Sequence, residues 1–507
     1  MCGIAGIFGN KENNSIINML DKQEHRGPDG RVIHYSNMYK FVLGHLRLSI
    51  IDLDGGTQPL SNENNTLLLV QNGEIYNHQK LRKKLEKRHF FKTQSDAEVI
   101  LHLFEEIGES CVKNLDGMFA FVIWNKDFGL FLARDPIGIK PLYYGYDSEN
   151  TFYFSSEIKG IMQYVNTIQE LPPGSYMYLS NSPQYYYNIP KPIDNANDMN
   201  QARQKLDHLL NLAVKKRLMA DVPVGVFLSG GLDSSLLSAL VKRNMKEEVH
   251  SFSVGFPDSL DVINARQVAE YLGTIHHERL LTKKEIFSSL ERIIYSLESC
   301  DPALIRSAIP TFFVSELASR YVKVVLSGEG ADELFAGYHY LKAYQNNHEE
   351  LSDELYRITK DLYRSNLQRA DRMSMAHGLE LRVPFLDKLL IKYAFNLSMK
   401  LKLNYDSKWI LRKVGSQYLP KNIVWRKKDK FSIGTGVGQM LEEYTNTIIS
   451  DIELSRSSKR FISKEEYFYW SIFKKYYNRE DIISNMGKSR SLNPGEIWEK
   501  SVVLRTG

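Results

Sequence analysis

The first 185 or so residues alternate short apolar runs with polar turns, a pattern typical of antiparallel β-structure. The β-type runs occupy positions 67–70, 119–124, 129–133 and 151–154. Turn-forming residues separate them, so we predict antiparallel hairpins. Helical stretches at 78–88 and 95–106 interrupt the strands. Together these runs predict helices layered on antiparallel sheets.

A proline-rich and then polar segment ends this pattern at residues 188–200. Prolines and clustered Asn and Asp are typical of linkers, and we predict one here. It would divide the chain into a domain of residues 1–187 and a second of residues 201–507. A chain of 507 residues is too long for one ordinary hydrophobic core, which agrees with this division.

Beyond residue 200, strands and helices alternate. The predicted elements are a helix at 202–219, a strand at 224–228, a helix from Asp233, a strand at 249–254, a helix at 262–272 and a strand at 275–280. This alternation predicts an α/β domain with a parallel, doubly wound sheet. From residue 335 onward the pattern is mostly helical.

Composition excludes some classes of protein. Lys plus Arg is 65 against 60 for Asp plus Glu, and a net charge of +5 is too small to favour a nucleic-acid partner. No run of about 18 apolar residues is present, so we predict no membrane span. Residues 1–20 turn polar after Gly9, unlike a secretory leader. With only three cysteines, a reducing cytoplasmic location is expected.

Cys2 is the first candidate for chemistry. Removal of Met1 would leave a thiol and a free α-amine on one residue, and a thiol needs a nearby base to become a nucleophile. An α-amine with a pKa of about 7.7–8.0 is a suitable base. The apolar residues 3–8 predict a buried strand that would hold this terminus. The alternative is a small buried hydrophobic residue.

Polar clusters in the first half supply the other groups that a thiolate attacking a carboxamide would need. The side-chain amide of Asn72 and the N–H of Gly73 could stabilise an oxyanion. Arg47 could bind an α-carboxylate and Asp96 an α-ammonium group. Each also has a structural explanation: Asn72-Gly73 as a turn, Asp96 as a helix N-cap, and Arg47 as a solvated side chain.

Taken together, the motifs at residues 2–4, 25–29, 47–50, 72–77 and 95–96 resemble the class II glutamine amidotransferases. The resemblance implies an N-terminal-nucleophile fold, a four-layer αββα sandwich, that hydrolyses glutamine to glutamate and ammonia. It implies Cys2 as nucleophile, with Asn72 and Gly73 as the oxyanion hole. The glutamine-binding residues that it implies are Arg47, Leu48, Ile50, Asn72, Gly73, Glu74 and Asp96.

Two glycine loops carry the chemistry of the second half. In residues 226–235 a hydrophobic strand enters a loop and then a helix, where backbone N–H groups and serine hydroxyls favour a phosphate. Asp233 would repel a phosphate unless a divalent cation lay between them. No Gly-Lys-Ser/Thr follows, so this is not a Walker loop. Residues 324–333 repeat the design.

The first loop resembles the PP-loop of the ATP pyrophosphatases. With residues 324–333, 381–387 and 425–428, the chain is similar to the glutamine-hydrolysing asparagine synthetases. The resemblance implies that ammonia passes through an internal tunnel to an aspartyl-adenylate made from aspartate and Mg-ATP. It also implies a homodimer, which is usual in the family.

The resemblance assigns roles in this domain. The ATP-binding residues would be Leu228, Ser229, Gly230, Gly231, Asp233, Ser234, Ser235, Val254, Ser327 and Gly328. Asp233 and Asp332 would bind Mg²⁺, Glu329 would manage the proton of ammonia, and Lys428 would neutralise the departing pyrophosphate. Arg306 would contact aspartate.

Three positions depart from the family pattern: Ala303 and Leu304 replace two hydroxyl residues, and Ile433 replaces an aspartate. Lost polar contacts can change substrate preference by orders of magnitude, so amidation of a different carboxylate is the main alternative. A nonenzymatic sensor of glutamine or ATP is a second alternative. The intact nucleophile and loop motifs favour an enzyme.

Overall fold

The computed structural model describes residues 2–9, 14–179, 181–195, 198–426, 437–455, 461 and 463–487. The strands are Gly3–Phe8 (β1), Gly30–Ser36 (β2), Phe41–Arg47 (β3), Leu60–Ser61 (β4), Leu67–Ile75 (β5), Gly117–Asn125 (β6), Gly129–Arg134 (β7), Tyr143–Tyr146 (β8), Phe152–Ser155 (β9), Gln169–Glu170 (β10), Ser175–Tyr178 (β11), Gln184–Tyr185 (β12), Val224–Phe227 (β13), His250–Gly255 (β14), Ile275–Leu280 (β15), Val324–Leu326 (β16) and Glu380–Arg382 (β17).

The helices of the first part of the chain are Asn14–Asp21 (α1), His78–Leu85 (α2), Glu98–Ile107 (α3), Cys111–Asn114 (α4), Ile158–Ile161 (α5), Met199–Arg217 (α6), Leu232–Asn244 (α7), Leu260–Leu272 (α8), Lys283–Leu297 (α9) and Pro302–Ala318 (α10). Those that follow are Ala331–Leu334 (α11), His348–Lys360 (α12), Asn366–Met375 (α13), Lys388–Phe395 (α14), Met399–Lys402 (α15), Trp409–Gly415 (α16), Lys421–Val424 (α17), Val437–Ile448 (α18), Asp451–Ser455 (α19), Lys464–Phe473 (α20) and Glu480–Asn485 (α21). Short 3-10 segments lie at Glu24–Arg26, Gly108–Ser110, His339–Tyr344, Asp361–Arg364 and Pro384–Leu386.

Two antiparallel sheets form the N-terminal half. Their strand orders are β10-β8-β9-β1-β3-β2 and β12-β11-β7-β6-β5-β4. Apolar side chains such as Ile4, Val70 and Val122 fill the space between them. Helices α1 and α5 pack on the first sheet, and α3 packs on the second with α2 beside it. The predicted αββα sandwich is confirmed, as is the hairpin β6–β7. A hairpin between the runs at 129–133 and 151–154 was wrong, because β9 pairs with β8, a strand that the sequence pattern did not predict, and β7 lies in the other sheet.

Strand β1 sets the position of Cys2. It lies between β9 and β3, and its residues Ile4, Ala5 and Ile7 are buried. A Cβ at Gly6 would approach the Phe154 ring to within 2.3 Å, so the ring needs a glycine there. Burial on both sides of the strand therefore fixes the chain immediately after Cys2.

The second half contains a parallel sheet in the order β15-β14-β13-β16-β17. Strand β13 is central, with β14 and β15 on one side and β16 and β17 on the other, so the sheet is doubly wound, as predicted. Both glycine loops follow the carboxyl ends of adjacent strands, β13 and β16. This is the switch point at which open α/β sheets bind ligands. The predicted helical character beyond residue 335 is also confirmed.

No helix within the described ranges is long and apolar enough to cross a membrane. Of the predicted linker, residues 188–195 and 198 contain no helix or strand, and its last two residues, 199 and 200, already belong to helix α6.

A network of buried charges joins the two halves. Arg26 donates to Asp371 at 2.8 Å and 3.1 Å, and to Glu157 at 2.7 Å. Burial alone would raise the pKa of Asp371, but Arg26 and Lys140 lower it to about 2. The members of the network are Arg26, Lys140, Glu157, Lys159, Glu298, Asp371 and Arg372. Their side chains are nearly inaccessible to solvent, so each charge depends on its partners.

We expect Asp371→Asn to destabilise the protein by about 3–5 kcal/mol, because removing one partner of a buried pair leaves the other charges uncompensated. Urea unfolding followed by circular dichroism measures the loss. Asp353→Asn, at an exposed position on α12, is the control and should change stability by no more than about 0.5 kcal/mol. Equal effects of the two variants would contradict a structural role for the network.

Lys402 predicts a distinct pH dependence. Its side chain is fully buried, and its Nζ has no hydrogen-bond partner within the described structure. Burial lowers its pKa to about 7, whereas an unfolded Lys titrates near 10.4. Between these values the unfolded state binds more protons, so this residue makes stability rise with pH from about 7 to about 10.

We therefore expect Lys402→Met to be more stable than the parent chain at pH 7, with the difference shrinking towards pH 10. Thermal unfolding midpoints at several pH values measure this. A constant difference across the range would show that packing, and not titration, causes the change.

Candidate active site

The contacts of Cys2 are those of an anchored nucleophile. Its backbone nitrogen, which becomes the α-amine when Met1 is removed, donates to Asn72 Oδ1 at 3.2 Å. Its carbonyl accepts from Arg26 Nε at 3.2 Å. Burial raises the pKa of the thiol, although a backbone hydrogen bond from Leu48 opposes the shift. A buried, protonated thiol needs a base to react, and the adjacent amine meets that need.

Asn72 and Gly73 lie within strand β5 and not in a turn, which rules out the structural alternative for this pair. The Nδ2 of Asn72 is buried and has no hydrogen-bond partner among the described residues. A Cβ at Gly73 would come within 2.1 Å of the Met118 carbonyl oxygen, so the position requires glycine. Within the described structure, Asn72 Nδ2 is therefore an unpaired hydrogen-bond donor close to Cys2, and the backbone of Gly73 beside it is tightly packed. An unpaired donor in this position could stabilise an oxyanion.

Asp96 is not the N-cap of helix α3, which begins at Glu98 after Ala97. Its carboxylate accepts from the backbone N–H of Ile75 at 2.6 Å, and burial raises its pKa. Asp96 is thereby tied to the end of the strand that carries Asn72 and Gly73.

Arg47 lies at the end of β3 and donates to the carbonyls of Asp52, at 2.5 Å, and Leu53, at 3.0 Å. It is therefore bound to the loop that follows and is not simply solvated. Ile50, in the same segment, is buried. Its carbonyl accepts a hydrogen bond from the backbone N–H of Asp221, in the second half of the chain, at 2.9 Å.

Glu74 faces the second half of the chain. Its Oε2 lies 3.8 Å from Arg382 Nη2, and burial together with Glu380 holds its pKa well above the usual range. The carbonyl of Arg382 accepts from Ser327 N–H at 2.9 Å. One residue thus contacts both predicted sites. The motif at residues 381–387 contained Arg382, but only the fold shows its role.

The first glycine loop is closed by serine hydroxyls. Ser234 Oγ accepts from Ser229 N–H at 3.2 Å and lies 3.1 Å from Ser229 Oγ. Gly230 has φ +68, and a Cβ there would approach the Asn264 backbone to 2.5 Å. The hydroxyl of Ser235 is buried, and no described residue bonds to it. These features suit a loop that wraps an anion.

The other predicted ATP-binding residues surround this loop. Leu228 N–H donates to Phe252 in β14 at 2.9 Å, and Val254 is buried in the same strand. Gly231 precedes helix α7 as its N-cap. A Cβ at Gly328 would lie 3.1 Å from Asp233 Cβ, so the second glycine loop packs directly on the first.

Asp233 and Asp332 converge on one cation in this structure, the ammonium of Lys408, which binds both carboxylates. Burial alone would lower the pKa of Lys408, but the two carboxylates raise it. The second oxygen of Asp233 is buried and unbonded within the described residues. Two carboxylates this close suit a divalent cation. No sequence pattern indicated Lys408.

Two further predicted residues are held by ion pairs. Glu329 binds Arg369 of helix α13. Arg306, on α10, binds Glu465 of α20 through two nitrogens, so its guanidinium is already paired. Leu304 is buried in α10 and offers no polar atom beyond its backbone. Lys428 and Ile433 lie outside the described residues.

Comparison with known proteins agrees with this two-site arrangement. A family model described as a glutamine amidotransferase domain matches residues 1–199, and one described as asparagine synthase matches 205–353 and 342–489. The chain resembles the glutamine phosphoribosylpyrophosphate amidotransferase structure from B. subtilis over 56% of its length and 67% of that chain. The identity is 21% and the TM-score 0.33, too low to support an argument.

Curated relatives match nearly the whole chain. Asparagine synthetase [glutamine-hydrolyzing] 2 of Oryza sativa subsp. japonica is 39% identical over 94% of this chain and 86% of its own length. Asparagine synthetase B [glutamine-hydrolyzing] of Escherichia coli (strain K12) is 38% identical over 94% of this chain and 91% of its own. The chain belongs to the family of glutamine-hydrolysing asparagine synthetases.

Proposed function

We propose that this protein transfers the amide nitrogen of glutamine to aspartate at the expense of ATP, giving asparagine, glutamate, AMP and pyrophosphate. The observation that carries the proposal is the position of Arg382, whose guanidinium faces Glu74 and whose carbonyl binds the Ser327 loop. A nucleophile pocket and a phosphate-binding switch point are thereby in physical contact within one chain. The relatives are named glutamine-hydrolysing asparagine synthetases, and this geometry supports glutamine hydrolysis and asparagine synthesis in this chain as well.

Glutamine hydrolysis begins when the α-amine of Cys2 takes the proton of the thiol. The thiolate attacks the carboxamide carbon, and the oxyanion receives hydrogen bonds from Asn72 Nδ2 and Gly73 N–H. The α-ammonium of Cys2 gives its proton to the departing nitrogen, which leaves as ammonia, and water then hydrolyses the thioester to glutamate and restores the thiol. Arg47 would bind the α-carboxylate of glutamine and Asp96 the α-ammonium. Leu48, Ile50 and Glu74 would line the same pocket.

Amide synthesis takes place at the second site. The loop from Leu228 to Ser235, with Val254, Ser327 and Gly328, would hold ATP. Oxygen of the aspartate side chain attacks the α-phosphorus and releases pyrophosphate, and ammonia then displaces AMP from the acyl-adenylate. Glu329, oriented by Arg369, would accept the proton that ammonia loses.

Asp233 and Asp332 would hold Mg²⁺, which neutralises charge on the pyrophosphate. Lys408 binds the same two carboxylates and would shift towards the phosphates when they arrive. Lys428 is proposed to assist it. The chain would retain ammonia inside the protein, between Glu74 and the Ser327 loop, because protonation in bulk water would make it unreactive.

Arg306 is proposed to contact aspartate, but its pairing with Glu465 means that it must share its guanidinium or release that partner. Ala303 and Leu304 supply no side-chain hydroxyl in the same helix. These facts favour one second candidate, amidation of a carboxylate other than aspartate. Product analysis with glutamine, Mg-ATP and a panel of carboxylates separates the two, because the proposal requires asparagine, AMP and pyrophosphate with aspartate only.

We expect Cys2→Ala to lower glutamine-dependent activity by about a thousandfold or more, since the nucleophile is lost. Synthesis from added ammonium salts should continue, because the second site is untouched. Cys300→Ala is the matched control and should keep both activities. Full glutaminase activity in Cys2→Ala would exclude this cysteine as the nucleophile.

We expect Asp233→Asn to abolish ATP-dependent synthesis, whether from glutamine or from ammonia, because one of two cation-binding carboxylates is gone. Glutamine hydrolysis should persist at a comparable rate. Pyrophosphate release and glutamate formation are measured in parallel, with Asp353→Asn as the control. Loss of both activities would show that the two sites are not separable in this way.

A further inference from the structure

Four side chains of the N-terminal half form a cluster far along the chain from Cys2. Glu63 lies between β4 and β5, His89 follows α2, and His102 and Glu105 lie one turn apart on α3. One ligand atom from each, an imidazole nitrogen or a carboxylate oxygen, lies within 4.8 Å of all the others. Among the described residues this is the group of three or more His, Cys, Asp or Glu side chains whose donors could hold a metal ion.

The distances within the cluster are close to those between the ligands of a tetrahedral site. His89 Nδ1 lies 3.4 Å from Glu63 Oε1 and 3.6 Å from Glu105 Oε2. His102 Nδ1 lies 3.5 Å from the other oxygen of Glu63, Oε2, and 3.1 Å from Glu105 Oε2. Ligands bound to zinc at about 2.0–2.2 Å lie about 3.3–3.5 Å from one another. Three of the four contacts are longer than a good hydrogen bond, as expected for atoms arranged around a common centre.

The second nitrogen of each imidazole faces a further carboxylate. His102 Nε2 lies 3.5 Å from Glu98, and His89 Nε2 lies 3.4 Å from Glu106. Metal-bound histidines typically donate their other N–H to a carboxylate in this way, which fixes the ring and the tautomer. Both rings turn Nδ1 towards the centre of the cluster and Nε2 towards an outer carboxylate, at distances longer than a good hydrogen bond.

Neighbouring groups hold the carboxylates and the outer acceptors in place. Phe90 N–H donates to Glu63 at 2.7 Å, and Asn62 donates to the other oxygen of Glu105 at 2.8 Å. Lys92 N–H donates to Glu98 at 2.7 Å, and Arg88 binds Glu106 at 2.6 Å. His102 is fully buried, whereas about a quarter of each carboxylate side chain reaches solvent and leaves an entry path.

We propose that Glu63, His89, His102 and Glu105 bind a divalent transition-metal ion, zinc being the ion that two imidazoles and two carboxylates favour. Four protein ligands leave no open position, so the site is structural. The ion would fasten the segment between α2 and α3 to the body of the domain. That segment contains Asp96, which is proposed to bind the α-ammonium of glutamine. An effect of the ion on glutamine binding therefore rests on the proposed function, whereas the metal site itself does not.

Zinc titration of the full chain tests the site. The chain should carry Cys2→Ala, because a thiol binds zinc, and excess Mg²⁺ should be present to occupy Asp233 and Asp332. We expect one equivalent of Zn²⁺ by calorimetry and the intense visible absorption of tetrahedral Co²⁺ when cobalt replaces it. His89→Gln and Glu63→Gln should remove this equivalent, whereas His208→Gln, at an exposed position on α6, should not.

The Glu106→Gln variant tests whether the cluster is a metal site or only a network of ion pairs. We expect it to keep the stoichiometry but weaken zinc binding about 10–100-fold, because only the outer acceptor of His89 is altered. Zinc should also raise the unfolding temperature of the Cys2→Ala chain and not that of its His89→Gln or Glu63→Gln derivatives. Identical zinc isotherms in the parent and both ligand variants would overturn the proposal, as would an octahedral Co²⁺ spectrum.

Discussion

Arg26 forms the interaction on which the rest of the structure depends. Its guanidinium binds the carbonyl of Cys2 on one side and Asp371 on the other. Helix α13 carries Asp371 and also Arg369, which binds Glu329. Cys2, the proposed nucleophile, is therefore connected to a proposed catalytic carboxylate of the second site through one arginine and two residues of one helix.

This arrangement constrains both halves because the charges are buried. A buried guanidinium without its acceptors would cost several kcal/mol, so Arg26 cannot leave Asp371 without a replacement. Movement of α13 would shift Arg26 and with it the carbonyl of Cys2. Arg382 makes a second connection of the same kind, between Glu74 and the loop at Ser327. The two candidate sites are thus joined by buried charge pairs.

Much of the fold was predictable because it depends on local patterns. The β-type runs near residues 67 and 119 and the strand before Ser229 appear within a few residues of their predicted positions. Motifs also placed Cys2, Asn72 and Gly73 together, since each is required by the same chemistry. Such patterns predicted helices layered on antiparallel sheets and a doubly wound sheet, whereas the four-layer sandwich was implied by the resemblance to the class II amidotransferases.

The residues that sequence reasoning missed act across long separations. Lys408 lies 175 residues from Asp233, and its neighbours in the sequence carry no pattern that indicates a charged partner. The pairing of Arg306 with Glu465 depends on where the C-terminal helices pack. The structural roles suggested for Asn72-Gly73 and Asp96 failed for the same reason, because β5 continues through the first pair and Ile75 binds the second.

The separation of Arg26 from Asp371 also has a consequence for synthesis on the ribosome. The two residues are 345 positions apart in the chain. At about 5–20 residues per second, Asp371 emerges about 17–70 s after Arg26. During that interval an N-terminal domain that has already folded must keep a guanidinium, and the surface around it, in water. The nascent sandwich therefore exposes its half of this interface to water, and Cys2 reaches its final setting only after Asp371 has been synthesised.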